Sequence, residues 1–184
     1  MAPKATVLKA ELQVSDMDRN AYGAYPLTVA QHPSETDQRV MVRIIAFALH
    51  ADERLEFGRG LGNEEEPDLW LRDYTGDIDL WIDLGQPDES RVKKACGRAR
   101  EVVVVNYGGR ASDLWWERAK ATLDRLKNLS VIDLPSGDVE QLVALYQRGL
   151  RLNCMIEEGE LRVMSDTGEA LVRPAYRQRG KARS

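Results

Sequence analysis

The sequence predicts a mixed α/β fold, an α+β arrangement in which helices flank a mixed β-sheet. Three observations carry this. From residue 33 onward the segments read helix, strands, helix, strand, helix, strand, the alternation expected when helices pack on a sheet. Val102-Val103-Val104-Val105 is an unbroken β-branched run, the mark of a strand buried on both faces and often parallel. Val40, Met41, Ile44, Ile45, Ala48 and Leu49 recur at helical spacing and give one apolar face to lay on a sheet.

Residues 5–14 read as a strand, with Leu8, Ala10, Leu12 and Val14 on one face and Lys9, Glu11 and Gln13 on the other. Residues 16–20 make a turn, and a second strand covers 24–30. Pro33-Ser34 opens the first helix, with Ser34 as N-cap and Asp37 three residues on. Glu35 and Asp37 place negative charge in its first turn. Residues 67–73 and 77–85 are two strands joined at Thr75-Gly76. Pro87 suits the first position of a helix over 88–100, with Val92, Ala95, Cys96 and Ala99 inward. Ser112 caps a helix over 113–126 that bears Trp115 and Trp116. A short strand over 129–134 and a helix over 138–148 follow. Residues 150–157, 160–165 and 169–173 form a meander, with turns at Glu158-Gly159 and Thr167-Gly168. The organisation expected is one domain over 1–173 and a loose basic tail over 174–184.

The composition is that of a folded chain: 184 residues, 43% hydrophobic and 30% charged. No apolar run approaches the roughly 20 residues that span a membrane, and the N-terminus lacks a signal-peptide core. Two cysteines, Cys96 and Cys154, have no metal-type spacing and fit a cytoplasmic protein with reduced thiols. The net charge of −4 argues against tight nonspecific nucleic-acid binding. Locally the charge is uneven. Glu64-Glu65-Glu66 is acidic, whereas Arg91, Lys93, Lys94, Arg98 and Arg100 form a basic run.

The candidate chemistry lies in the acids. On the strand Asp79-Leu80-Trp81-Ile82-Asp83-Leu84, alternation puts Leu80, Ile82 and Leu84 on one face and Asp79, Trp81 and Asp83 on the other. Asp68 opens the neighbouring strand, and hairpin strands can bring two such carboxylates within reach of one ion. The first helix can add Glu35. Mg²⁺ or Mn²⁺ takes oxygen ligands of this kind, polarises a phosphodiester and activates water. Asp79 lies four residues before Asp83, roughly 13 Å along a strand, so it belongs to water or to an arginine.

This spacing resembles the PD-(D/E)XK nuclease superfamily, whose core runs helix, three strands, helix, strand. Pro67-Asp68 matches its first element, Asp83-Leu84-Gly85 its second, and Glu35 an acid that some members carry on the first helix. By that resemblance Asp68, Asp83 and the Leu84 carbonyl hold the metal. The motif lysine is replaced by Gly85, which leaves Gln86, Lys93 or Lys94 to orient water and neutralise phosphate. A longer likeness covers residues 1–173. His32-Pro33-Ser34-Glu35-Thr36-Asp37, Ala48-Leu49-His50-Ala51-Asp52-Glu53-Arg54-Leu55, Glu66-Pro67-Asp68-Leu69-Trp70, Leu84-Gly85-Gln86-Pro87-Asp88-Glu89 and Lys94-Ala95-Cys96-Gly97-Arg98-Ala99 resemble the YaeQ family. The likeness implies a restriction-endonuclease-like αβββαβ core with a C-terminal meander.

Each residue also has a plainer role. Glu35 can serve the helix dipole, Gln86 can turn the chain into the next helix, and Arg91, Lys93, Lys94 and Arg98 can be a solvated face. Trp115 and Trp116 could stack on bases, but neighbours on a helix diverge, so at least one belongs to the core. Gly58-Arg59-Gly60-Leu61-Gly62 lacks the Lys-Ser/Thr and the helix of a phosphate loop. Two functions therefore stand side by side. One is a Mg²⁺-dependent nuclease acting on DNA or RNA. The other is a non-catalytic module that binds nucleic acid or a protein partner, with transcription as its setting.

Overall fold

The computed structural model describes residues 4–184. It is mixed α/β, with two mixed sheets and four helices, and the chain divides into two compact units. The expectation of one sheet is corrected. The two N-terminal strands and the C-terminal meander combine in a sheet of their own.

The first unit comprises the chain up to Glu53 together with Gly137–Arg173. Its strands are β1 (Thr6–Asp16) and β2 (Ala21–Gln31), then β8 (Gly149–Glu157), β9 (Glu160–Met164) and β10 (Glu169–Val172), in the order β10-β9-β8-β1-β2. β1 pairs antiparallel with β2 and parallel with β8, with Leu12 opposite Leu152. Leu8, Ala10, Leu12 and Val14 are buried as their alternation requires. α1 (Asp37–Leu49) supplies the apolar face read from the sequence: Val40, Met41, Ile44, Ile45 and Ala48 are fully buried. Its start is corrected. Thr36, not Ser34, is the N-cap, accepting from Arg39 N, while Ser34 Oγ pairs with His32 Nδ1 at 2.7 Å. α4 (Ser136–Val143) is shorter than the sequence implies, and its Asp138 and Gln141 accept the Arg173 and Leu171 amides.

His50 closes α1. Its Nδ1 lies 2.9 Å from the Ala46 carbonyl, which can only accept, so Nδ1 carries the proton. Burial lowers its pKa below the usual 6.5, with the Ala46 hydrogen bond opposing. The unfolded chain therefore takes up a proton first as pH falls. The stability tied to His50 is complete above about 6.5 and declines as pH drops towards the lowered folded value. A His50→Gln variant should lose less stability than the parent between neutral and mildly acid pH. Parallel declines in urea midpoint would remove His50 from the pH response.

The second unit comprises Arg54–Ser136 and Pro174–Ser184. Its sheet contains β3 (Leu55–Phe57), β4 (Leu69–Arg72), β5 (Ile78–Leu84), β6 (Ala99–Asn106), β7 (Leu129–Asp133) and β11 (Ala175–Gln178), in the order β11-β7-β6-β5-β4-β3. β5, β6 and β7 run parallel, and β6, the Val102–Val105 strand, is central and buried. α2 (Glu89–Arg98) and α3 (Arg110–Leu123) share a core with one face of this sheet. Trp81, Val92, Ala95, Val102, Val104, Ala119 and Leu123 belong to it.

Four sequence readings change in this unit. β3 was not anticipated, because three residues carry too little periodicity to register. Asp88 is the N-cap of α2, so Pro87 precedes the helix instead of starting it. Ser112 lies inside α3, and its buried hydroxyl lies 3.0 Å from Asn106 Oδ1 and 2.6 Å from Asp133 Oδ1. The basic tail is not loose. β11 pairs antiparallel with β7, the Gly180 amide donates to Ser130 Oγ, and Arg183 donates to the Cys96 and Ala99 carbonyls. Both cysteines are free and buried, and burial pushes the Cys154 thiol up to about 12 and Cys96 up to about 11.

Candidate functional site: a carboxylate pair locked by arginine

The β4–β5 ladder brings Asp68, just before β4, near Asp83 on β5. Trp70 pairs with Trp81 and Leu69 with Ile82, where the ladder ends; Asp68 immediately precedes β4 and its amide donates to the Ile82 carbonyl at 3.1 Å, beside Asp83 on β5. The charges of both acids act on the Arg91 guanidinium. Asp83 shares the sheet face of Trp81, whose ring meets that of Trp70 edge-on at 6.3 Å. α2 covers that face. Asp68 is 4% exposed and Asp83 2%, so neither is an ordinary surface acid.

Each carboxylate is already engaged. Asp68 Oδ2 accepts the Leu84 amide at 3.0 Å, so it is the Leu84 N–H that meets the acid. Gly60 makes this packing possible. It sits at φ +49°, and a side-chain carbon there would fall 2.2 Å from Asp68 Oδ1. Asp83 is gripped at both oxygens by Arg91 on the first turns of α2, Nε to Oδ2 at 2.8 Å and Nη2 to Oδ1 at 3.1 Å. The same guanidinium donates to the Asn63 carbonyl at 2.8 Å and the Glu66 carbonyl at 3.0 Å. Its hydrogen bond to Asp83 is the largest influence raising its pKa, and the charges of Asp83, Asp68 and Glu64 add to that. A two-pronged arginine–carboxylate contact adds energy and geometric specificity to an already strong charge-assisted pair.

The remaining predicted residues are dispersed. Glu35 belongs to the first unit, where Oε2 binds Arg39 Nη1 at 2.9 Å and Oε1 binds Arg43 Nη2 at 2.8 Å. Gln86 Nε2 donates to the Tyr107 carbonyl at 2.6 Å, which fixes the turn after β5. Lys94 Nζ meets Glu65 Oε1 at 3.2 Å, and Lys93 is exposed. Asp79 pairs with Arg100 at 3.3 Å, as its distance from Asp83 along β5 implied. Trp115 donates Nε1 to the Pro87 carbonyl at 2.7 Å, and both Trp115 and Trp116 pack on the core.

Arg91, Arg39 and Arg43 are the residues that sequence reasoning missed in these roles. Glu35 and Arg39 stand four apart, a usual ion-pair spacing. Arg91 gave no comparable signal, since it reaches Asp83 only after β5 and α2 pack. As arranged, the set does not fit a divalent ion. Both Asp83 oxygens face a cation already, and no three His, Cys, Asp or Glu side chains among the described residues could share a metal.

Fold and site together define an α+β protein with two buried carboxylates at the β4–β5 hairpin, one of them, Asp83, locked by an arginine. The chain belongs to the YaeQ family, whose model, described as YaeQ protein, matches residues 1–174. It is 45% identical over 161 residues to "Uncharacterized protein YaeQ" of Salmonella typhi, covering 88% of this chain and 89% of that one. It is 43% identical over 166 residues to the Escherichia coli (strain K12) protein of the same name, covering 90% and 92%. The crystal structure of YaeQ protein from Xanthomonas axonopodis pv. citri is similar at TM-score 0.92 and 60% identity, covering 95% and 98%. That of YaeQ protein from Pseudomonas syringae is similar at TM-score 0.90 and 32% identity, covering 95% and 97%. No helix among the described residues is long and apolar enough to cross a membrane.

Proposed function

We propose that this chain is a nucleic-acid-binding module that keeps the carboxylate pair of a PD-(D/E)XK nuclease but has an arginine in the place of the metal. The carrying observation is the two-pronged contact between Arg91 and Asp83, which spends both oxygens that a metal would need. The element order supports the nuclease ancestry: α1, β3, β4, β5, α2, β6 runs helix, three strands, helix, strand. Gly85 at the motif-lysine position and Gln86 tied to Tyr107 leave the pair without a group to activate water. The cations of α2 supply charge for a phosphate backbone.

The expected result is saturable, salt-sensitive binding of DNA or RNA, with no product formed in Mg²⁺ or Mn²⁺. Cleavage that rises with protein concentration and disappears in folded Asp68→Asn and Asp83→Asn variants would overturn this reading. That outcome would establish the second one, a Mg²⁺- or Mn²⁺-dependent nuclease. The nearness of Asp68 and Asp83 to one guanidinium, that of Arg91, favours that alternative. It requires Arg91 to leave Asp83 when the ion arrives.

A further inference from the structure

The second unit carries a pocket of about 200 Å³ lined by Trp81, Ser90, Lys94 and Arg98, with Arg91 and Glu64 at its wall. Trp81 is 1% exposed, and its Nε1 finds no acceptor among the described residues. The Arg98 guanidinium lies 5.1 Å from the Trp81 ring centroid and that of Arg91 5.7 Å. Arg91, Lys94 and Arg98 fall on one side of α2 by their spacing of three and four.

Within the acidic segment Glu64-Glu65-Glu66, Glu65 lies on two of these cations, while the Glu66 carboxylate pairs with Arg59 at 3.4 Å and the Glu64 charge acts on Arg91. Glu65 presents Oε1 to Lys94 at 3.2 Å and Oε2 to Arg98 at 3.7 Å, and its carbonyl accepts from Arg98 at 3.2 Å. One carboxylate thus bridges two cations, as two phosphate oxygens would. Asn63 Oδ1 accepts the Glu65 and Glu66 amides and shapes the segment, and Arg91 anchors it through the Asn63 and Glu66 carbonyls. The bridging side chains are open to water, Glu65 at 71% and Lys94 at 57% exposure. Such contacts are weak and screened by salt, so a denser line of negative charge can replace them.

We propose that Lys94 and Arg98 form the phosphodiester-binding surface of this chain and that Glu64-Glu65-Glu66 is its built-in competitor. Glu65 occupies the two cations, with Glu64 and Glu66 adding negative charge beside it, until a nucleic-acid backbone displaces the segment. The inference rests on the nucleic-acid-binding reading above. It adds a location and a restraint on affinity.

The test uses fluorescence anisotropy of a labelled single-stranded oligodeoxynucleotide with the full chain at low salt. The combined variant Glu64→Gln, Glu65→Gln, Glu66→Gln should bind on the order of tenfold more tightly than the parent, with a steeper salt dependence. Adding Lys94→Ala and Arg98→Ala should abolish that gain. A control variant with Glu140→Gln, Glu157→Gln and Glu158→Gln, all exposed acids, should show no comparable gain. An equal gain in the control, or a gain that survives loss of Lys94 and Arg98, overturns the proposal. Equal binding by parent and variant overturns the competitor while leaving nucleic-acid binding in place. Absence of binding by every protein overturns both.

Discussion

Asp83→Ala is expected to destabilise the second unit by about 2–4 kcal/mol. Removing one partner of an enclosed ion pair typically costs about 3–5 kcal/mol, because the other charge stays in a poorly solvated place. The figure is set lower here because the Arg91 side chain keeps 23% of its surface, against 3% for Asp83. Arg91 also remains tied to the Asn63 and Glu66 carbonyls, which hold it near the vacated position. For a chain of this size the loss corresponds to a fall in melting temperature of roughly 5–15 °C. The paired variant Asp83→Ala, Arg91→Met should recover much of the loss, since no charge is then left without a partner. Thermal melts and urea midpoints of the parent, the two single variants and the pair form the required cycle. If the singles cost nothing, Arg91 does not hold Asp83 in solution, and the acid is open to a cation.

Glu35→Ala should have an equal or larger effect in the first unit, about 3–5 kcal/mol, since it strands buried charge. Its side chain is 2% exposed, and those of Arg43 and Arg39 are 8% and 15% exposed. Arg43 also donates to the Ala30 carbonyl at 2.9 Å, so this cluster fastens the end of β2 to α1. Glu35→Gln keeps the shape and one acceptor but not the charge, and should cost less than Glu35→Ala. Unfolding followed by circular dichroism distinguishes a structural acid from a catalytic one. A fully stable Glu35→Ala protein would free this residue for a role in chemistry and count against the arginine clamp.

Much of the architecture was legible in the residues. Strict alternation marked β1 and β5, the four consecutive valines marked a central parallel strand, and the apolar stripe of α1 marked its buried face. These are local patterns imposed by side-chain geometry. The weaker signals failed where tertiary pairing decides. β3 has three residues, and β11 lies in a basic tail whose composition reads as loose. β11 is ordered by its ladder to β7, a partner some forty residues earlier in the chain. The caps at Ser34 and Ser112 failed for another reason. A serine can hydrogen-bond in several ways, and both hydroxyls found side-chain partners instead.

The sequence by itself determined that Asp83 lies on a strand and that Asp68 stands at the entry to its hairpin neighbour, one residue before β4 begins. It also determined family membership and the α+β class. Only the tertiary structure decided what the acids do there. Arg91, eight residues beyond Asp83, reaches it because α2 folds back over the face that carries Trp81. Two charges in a poorly solvated place select each other by distance and direction, and neither is written in the spacing of residues along a chain.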